Sequence, residues 1–180
     1  MTFFLTLRHW ELFLMLALPT VMCLMLGIPF KPLIVSTVGL FMMLVLFTWM
    51  LSIGIWSNRQ LEPSKQRGTL LFIAGLVLPI VYLVAYIILV VPELTSGIPA
   101  KPKLWMFTLH MLSLTGIFYG IWFTAGQLKA LLVSKNADYM IFSNTFFMLL
   151  IFPLGIWLIQ PGVNKLFFEA QQSTDAADDA

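Results

Sequence analysis

The sequence predicts an all-α fold, a polytopic bundle of transmembrane helices. Three observations carry this prediction. Of 180 residues, 60% are hydrophobic and only 10% are charged, where soluble domains carry about 25% charged residues. The mean hydropathy is +0.95. Five stretches near 12–30, 33–56, 70–91, 104–128 and 140–159 contain no Asp, Glu, Lys or Arg. Each is long enough to cross roughly 30 Å of hydrocarbon as a helix. Apolar surface on this scale needs the lipid bilayer as its solvent, and lipid admits only backbone that satisfies its own hydrogen bonds.

The third observation is internal repetition. Leu16-Ala-Leu-Pro19 is echoed by Leu76-Val-Leu-Pro79, with Val21 and Val81 two residues on. Gly27-Ile-Pro-Phe-Lys-Pro32 is echoed by Gly97-Ile-Pro-Ala-Lys-Pro102, and Gly54-Ile-Trp56 by Gly120-Ile-Trp122. Gln60-Leu61 with Ser64-Lys65 returns as Gln127-Leu128 with Ser134-Lys135. The first four segments thus read as a tandem duplication of a helical hairpin. The competing reading is chance repetition of apolar, proline-containing text.

Segment one begins after Glu11. Arg8 follows an apolar start, and no small-residue cleavage site follows the apolar run, so it reads as a retained helix and not a signal peptide. Pro19, Pro79 and Pro153 fall inside segments one, three and five, where each removes a backbone donor and predicts a kink. Segments two and four have no interior proline.

Loop charge predicts orientation. One side collects the six cations Arg8, Arg59, Lys65, Arg67, Lys129 and Lys135. The other collects four, Lys31, Lys101, Lys103 and, if segment five crosses, Lys165. The excess predicts a cytoplasmic N-terminus, with Trp10, Trp56 and Trp122 at that interface and Trp105 at the other.

Segment five admits two readings. The plain one is a single full crossing. The other rests on Gly155-Ile-Trp157, which resembles the ends of segments two and four. It makes the segment re-entrant, broken at Pro153 and buried in protein. Residues 1–166 form the predicted helical domain. Residues 167–180, polar and acidic (Glu169, Asp175, Asp178, Asp179), read as a disordered tail.

Net charge is +2, and the basic residues lie in loops without interleaved aromatics, which argues against a nucleic-acid partner. Cys23 is the sole cysteine, so no intramolecular disulfide or Cys/His metal cluster is predicted. His110 is the one ionisable residue well inside a segment. Its functional reading is a proton relay or a ligand, and its plain reading is a neutral side chain bonded to a neighbouring helix. Segment four also carries Ser113, Gly116, Gly120, Thr124 and Gln127 on one face, including a small-xxx-small motif. That stripe is read as a packing seam before it is read as the lining of a path. Asn144, between Ser143 and Thr145, reads as interhelical glue or a solute contact. Hydrolase, zinc-protease and phosphate-loop motifs are absent, and neither a catalytic residue nor a cofactor is predicted.

The run Phe152-Pro-Leu-Gly-Ile-Trp-Leu-Ile-Gln-Pro-Gly-Val-Asn-Lys165 resembles the closing motif of a family of small multi-pass inner-membrane proteins of Bacteroidota-type bacteria. Leu7-Arg-His-Trp-Glu-Leu12, and the stretch around His110 and Gly126-Gln-Leu-Lys129, are similar as well. The family pattern would place a basic residue at Gly162. The resemblance implies a bacterial inner-membrane location and no mechanism. The expected role is a non-enzymatic accessory or scaffolding subunit that meets itself or a membrane partner through segment four. The alternative is a small-solute or ion transporter with its site at the repeat interface. A membrane enzyme using His110 is the third reading.

Overall fold

A computed structural model of the chain describes residues 2–27, 31–96, 104–135 and 145–178, with side chains to residue 172. Every regular element among them is helical: α1 (Phe3–Thr6), α2 (His9–Met25), α3 (Pro32–Gln60), a 3-10 turn (Pro63–Lys65), α4 (Leu70–Leu89), α5 (Val91–Thr95), α6 (Leu104–Ser134), α7 (Thr145–Leu150) and α8 (Phe152–Asp178). Three helices are long and apolar enough to cross a membrane: Pro32–Gln60, the α4–α5 run Leu70–Thr95, and Leu104–Ser134. They coincide with predicted segments two, three and four. Segment one is shorter than expected. Its helix has 17 residues, a rise of about 26 Å, and residues 28–30 lie outside the described set.

Local chemistry places the helix ends. Pro32 opens α3, where a missing N–H costs nothing and φ is already helical. Arg59 sits in its last turn, against the negative end of the macrodipole. Past Gln60 the chain is clamped. Asn58 accepts from Arg67 N at 2.8 Å and donates to Arg67 O at 3.0 Å. Gln66 donates to the Leu61 carbonyl at 2.9 Å.

The chain divides into two compact units. Unit 2 comprises Met15–Phe47 and Gly68–Phe123. Within it α4 and α6 run antiparallel. Phe72 stacks on Phe123 at 4.3 Å and 16°, Gly75 meets Gly116 and Leu76 meets Gly120, and Tyr82 meets His110 at 5.7 Å. The paired numbers rise on one helix as they fall on the other. On α2 and α3, the Thr20 hydroxyl lies 3.7 Å from the Met42 sulfur.

Unit 1 comprises Met1–Leu14, Thr48–Arg67 and Thr124–Ala180. Its core gathers Leu5, Leu12, Trp49, Ile53, Ile156 and Ile159. Here α8 runs parallel to the second half of α3. Trp49 meets Gln160 and, seven residues on along each chain, Trp56 meets Phe167. Seven residues are about two turns on either helix, so the two stay in step.

Segment 140–159, read as one full crossing or as a re-entrant segment broken at Pro153, is two helices among the described residues. Residues 140–144 lie outside the described set, α7 ends at Leu150, and α8 starts at Phe152. Pro153 favours a break here. Its ring would collide with the Leu149 carbonyl in a continuous helix, whereas in a new first turn its missing N–H is harmless. The turn at Ile151 folds α7 back against α8 so closely that a Cβ on Gly155 would run into the Met148 carbonyl. Residues 167–178 lie in the same helix as Phe152 and continue α8 to Asp178. Glu169, Ala170, Gln171 and Gln172 are good helix formers. The packing of Phe167, 5.7 Å from Trp56, anchors the turn before them.

Candidate functional site

The residues singled out on segment four fall on one face of α6, spaced 3, 4, 4 and 3 apart from Ser113 to Gln127. That face is turned inward. Ser113, Thr124 and Gln127 are buried. Leu112, Leu114 and Phe118, on other sides of the helix, are exposed at 51, 37 and 49%.

Within unit 2 the face is closed by α4. An added Cβ on Gly116 would lie 3.0 Å from Gly75 Cα and 3.1 Å from Gly75 C, and closer still to the Gly75 oxygen. Two helix backbones touch there, which only glycine on both sides allows. One turn on, Gly120 takes the Leu76 side chain. The small-residue face is therefore a seam inside this chain. At Gly116 and Gly120 the face is already occupied by α4.

The polar members of the stripe differ from the glycines. Ser113 Oγ, Thr124 Oγ1 and Gln127 Oε1 are buried with no hydrogen-bond partner among the described residues, as is Ser57 Oγ near the end of α3. Buried polar atoms are normally satisfied, and each orphan costs on the order of 1–3 kcal/mol. His110 stands apart from the seam. It is exposed, its ring edge-on to Tyr82 at 5.7 Å, and it makes no hydrogen bond among the described residues. Asn144 lies outside the described residues. No grouping of three or more His, Cys, Asp or Glu that could hold a metal occurs among the described residues.

The most elaborate polar cluster is one the sequence reading did not single out. Gln160 on α8 is fully buried. Its Oε1 accepts from Trp49 Nε1 at 2.6 Å. Its Nε2 donates to the Phe4 and Leu7 carbonyls at 2.9 and 2.8 Å and lies 2.8 Å from Asn164 Oδ1. Asn164 donates to the Leu7 carbonyl at 3.0 Å. Leu7 is the C-cap of α1, so these amides satisfy carbonyls that a short helix leaves open. Trp157 adds ring contacts to His9 at 4.6 Å and Phe13 at 5.8 Å. Together they fasten the N-terminal segment to α8 and to α3. The signal lay in Gln160 and Asn164, two amides one turn apart in an apolar run. Periodicity alone does not say what such amides bond to.

Comparison with protein-family profiles, with characterised proteins and with solved structures gives no match.

Proposed function

We propose that the chain is a multi-pass protein of a bacterial inner membrane that acts as a non-enzymatic accessory or scaffolding subunit. The observation that carries this reading is the closed seam of α6. The face that a conduit would leave open is occupied by backbone-to-backbone packing at Gly75 and Gly116. Because that face is covered, a membrane partner, or a second copy, would meet segment four on its outer stripe of Phe107, Met111, Leu114 and Phe118, all exposed. The described arrangement is compatible with the duplicated-hairpin reading, since Pro19 and Pro79 lie near the middles of α2 and α4.

The topology we propose follows from unit 1. Arg67, next to the start of α4, reaches Gly126 of α6, so α6 runs past the end of α3 before it stops at Ser134. The chain returns along α8, which runs with α3 toward that same end. Segment 140–159 then enters and leaves by one membrane face, the re-entrant alternative. Irregular backbone at such a break is tolerated when protein covers it, and Leu149 and Ile156 on either side are buried. Lys165 joins the side of Arg8, so six cations become seven, against the three of Lys31, Lys101 and Lys103. That strengthens the case for a cytoplasmic N-terminus.

The four orphaned oxygens favour a second reading, a transporter of small polar solutes or ions. One pair of measurements separates the two. The tagged chain is solubilised in mild detergent and sized on a native gel, and reconstituted vesicles are tested for solute and ion flux. The scaffold reading expects a discrete assembly larger than one copy, and tight vesicles. A monomer that conducts would replace it with the transporter.

A further inference from the structure

We infer that unit 1 carries a binding site for the phosphate group of an anionic phospholipid, between α1 and the C-terminal half of α3. The site is a cavity of about 100 Å³ lined by Thr2, Leu5, Ser52, Ile55, Trp56 and Arg59. That is the volume of about three liquid waters. Its floor is well packed, since Leu5, Ser52 and Ile55 are buried. Its mouth carries the charge. Arg59 is exposed and has neither an acidic partner nor any other polar partner among the described residues. The nearby Lys65 is already paired with Glu62 at 3.0 Å.

The donor inventory points to a singly charged oxyanion. A guanidinium offers a planar fork of N–H donors that fits phosphate oxygens in pairs. Thr2 adds an exposed hydroxyl. Ser52 is different, because its proton is committed to the Thr48 carbonyl at 2.8 Å, so it shapes the cavity without donating into it.

One free cation matches the one negative charge of a phosphodiester. Inorganic phosphate would bring more charge than Arg59 offsets and would set it against apolar walls. The ester arms of a lipid make use of those walls. Leu5, Ile55 and Trp56 give them apolar surface, and a Trp near a helix end is the residue that favours the headgroup level. Arg59 in the last turn of α3 also suits the helix dipole, but the dipole explains neither the cavity nor the hydroxyl beside it.

The inference rests on the proposed membrane location and is independent of the scaffold reading. Its test uses the full chain in detergent, titrated with phosphatidylglycerol and followed by native mass spectrometry. One lipid should be retained on the unaltered chain. Arg59→Gln should weaken retention about tenfold, as losing a charge-assisted pair does. Thr2→Val, at the exposed N-cap of α1 where the side chain makes no cap hydrogen bond, should weaken it a few-fold. Arg8→Gln, another exposed arginine outside the cavity, should leave it unchanged. Millimolar inorganic phosphate should not displace the lipid. Equal retention in Arg59→Gln and Thr2→Val, an equal loss in Arg8→Gln, or displacement by inorganic phosphate would overturn the assignment. A chain extracted without detergent would instead refute the membrane location.

Discussion

Gly116→Ala is the sharpest probe of the α4–α6 seam. The added methyl would meet the Gly75 backbone, with Cα at 3.0 Å, C at 3.1 Å and the carbonyl oxygen nearer still. Nothing there can rotate aside, because the neighbour is backbone in the middle of a helix. The two helices must separate or shift. That also loosens Phe72 on Phe123, two turns along α6. Overpacking of this kind costs about 1–3 kcal/mol. Alanine in place of glycine inside a helix gives back at most about 1 kcal/mol. The net expectation is a loss of about 1–2 kcal/mol.

Two companion variants calibrate it. Gly120→Ala meets only the end of the Leu76 side chain, which can change rotamer, so it should cost less. Gly39→Ala in α3 meets nothing within 4 Å and should be neutral or stabilising by up to about 1 kcal/mol. Reversible unfolding of the detergent-solubilised chain by titrated denaturing detergent reads all three. A Gly116→Ala protein as stable as Gly39→Ala would refute the seam. Equal losses at Gly116 and Gly120 would refute the distinction between backbone and side-chain neighbours.

Gln160→Leu should cost about 1–3 kcal/mol, because it strands the Trp49 indole N–H and the Phe4 carbonyl in a buried setting. Hydrogen exchange should then rise over residues 2–8, where a purely local loss would leave that segment protected. In a Cys23→Ala background, single cysteines at Ser64 and Gln172 should both resist impermeant thiol reagents in intact cells, while one at Thr95 labels. Labelling at Gln172 with protection at Ser64 would restore a full crossing for segment five, and labelling at Ser64 with protection at Thr95 would reverse the orientation.

Sequence by itself determined the helical class and the place of the long apolar helices. Charge-free runs at 33–56, 70–91 and 104–128 have the length and composition of membrane-crossing helices, and three helices long and apolar enough to cross a membrane stand there among the described residues. The phase of Ser113, Gly116, Gly120, Thr124 and Gln127 was equally legible, because helical periodicity is a local property and the stripe had to share one face. What covers that face was not legible. Backbone contact between Gly75 and Gly116 depends on the depth at which two helices meet, and no local pattern encodes that. Only the tertiary structure decided that Pro153 starts a new helix instead of kinking an old one. Its missing donor is tolerated either way, and the choice falls to neighbours such as Met148 against Gly155. The bonds of Gln160 were hidden for the same reason. An amide in an apolar run must find partners, but its partners here, Phe4 and Leu7, lie more than 150 residues away in the chain. Burial is set by neighbours that sequence distance does not reveal, whereas helicity in lipid is set by each segment's own backbone.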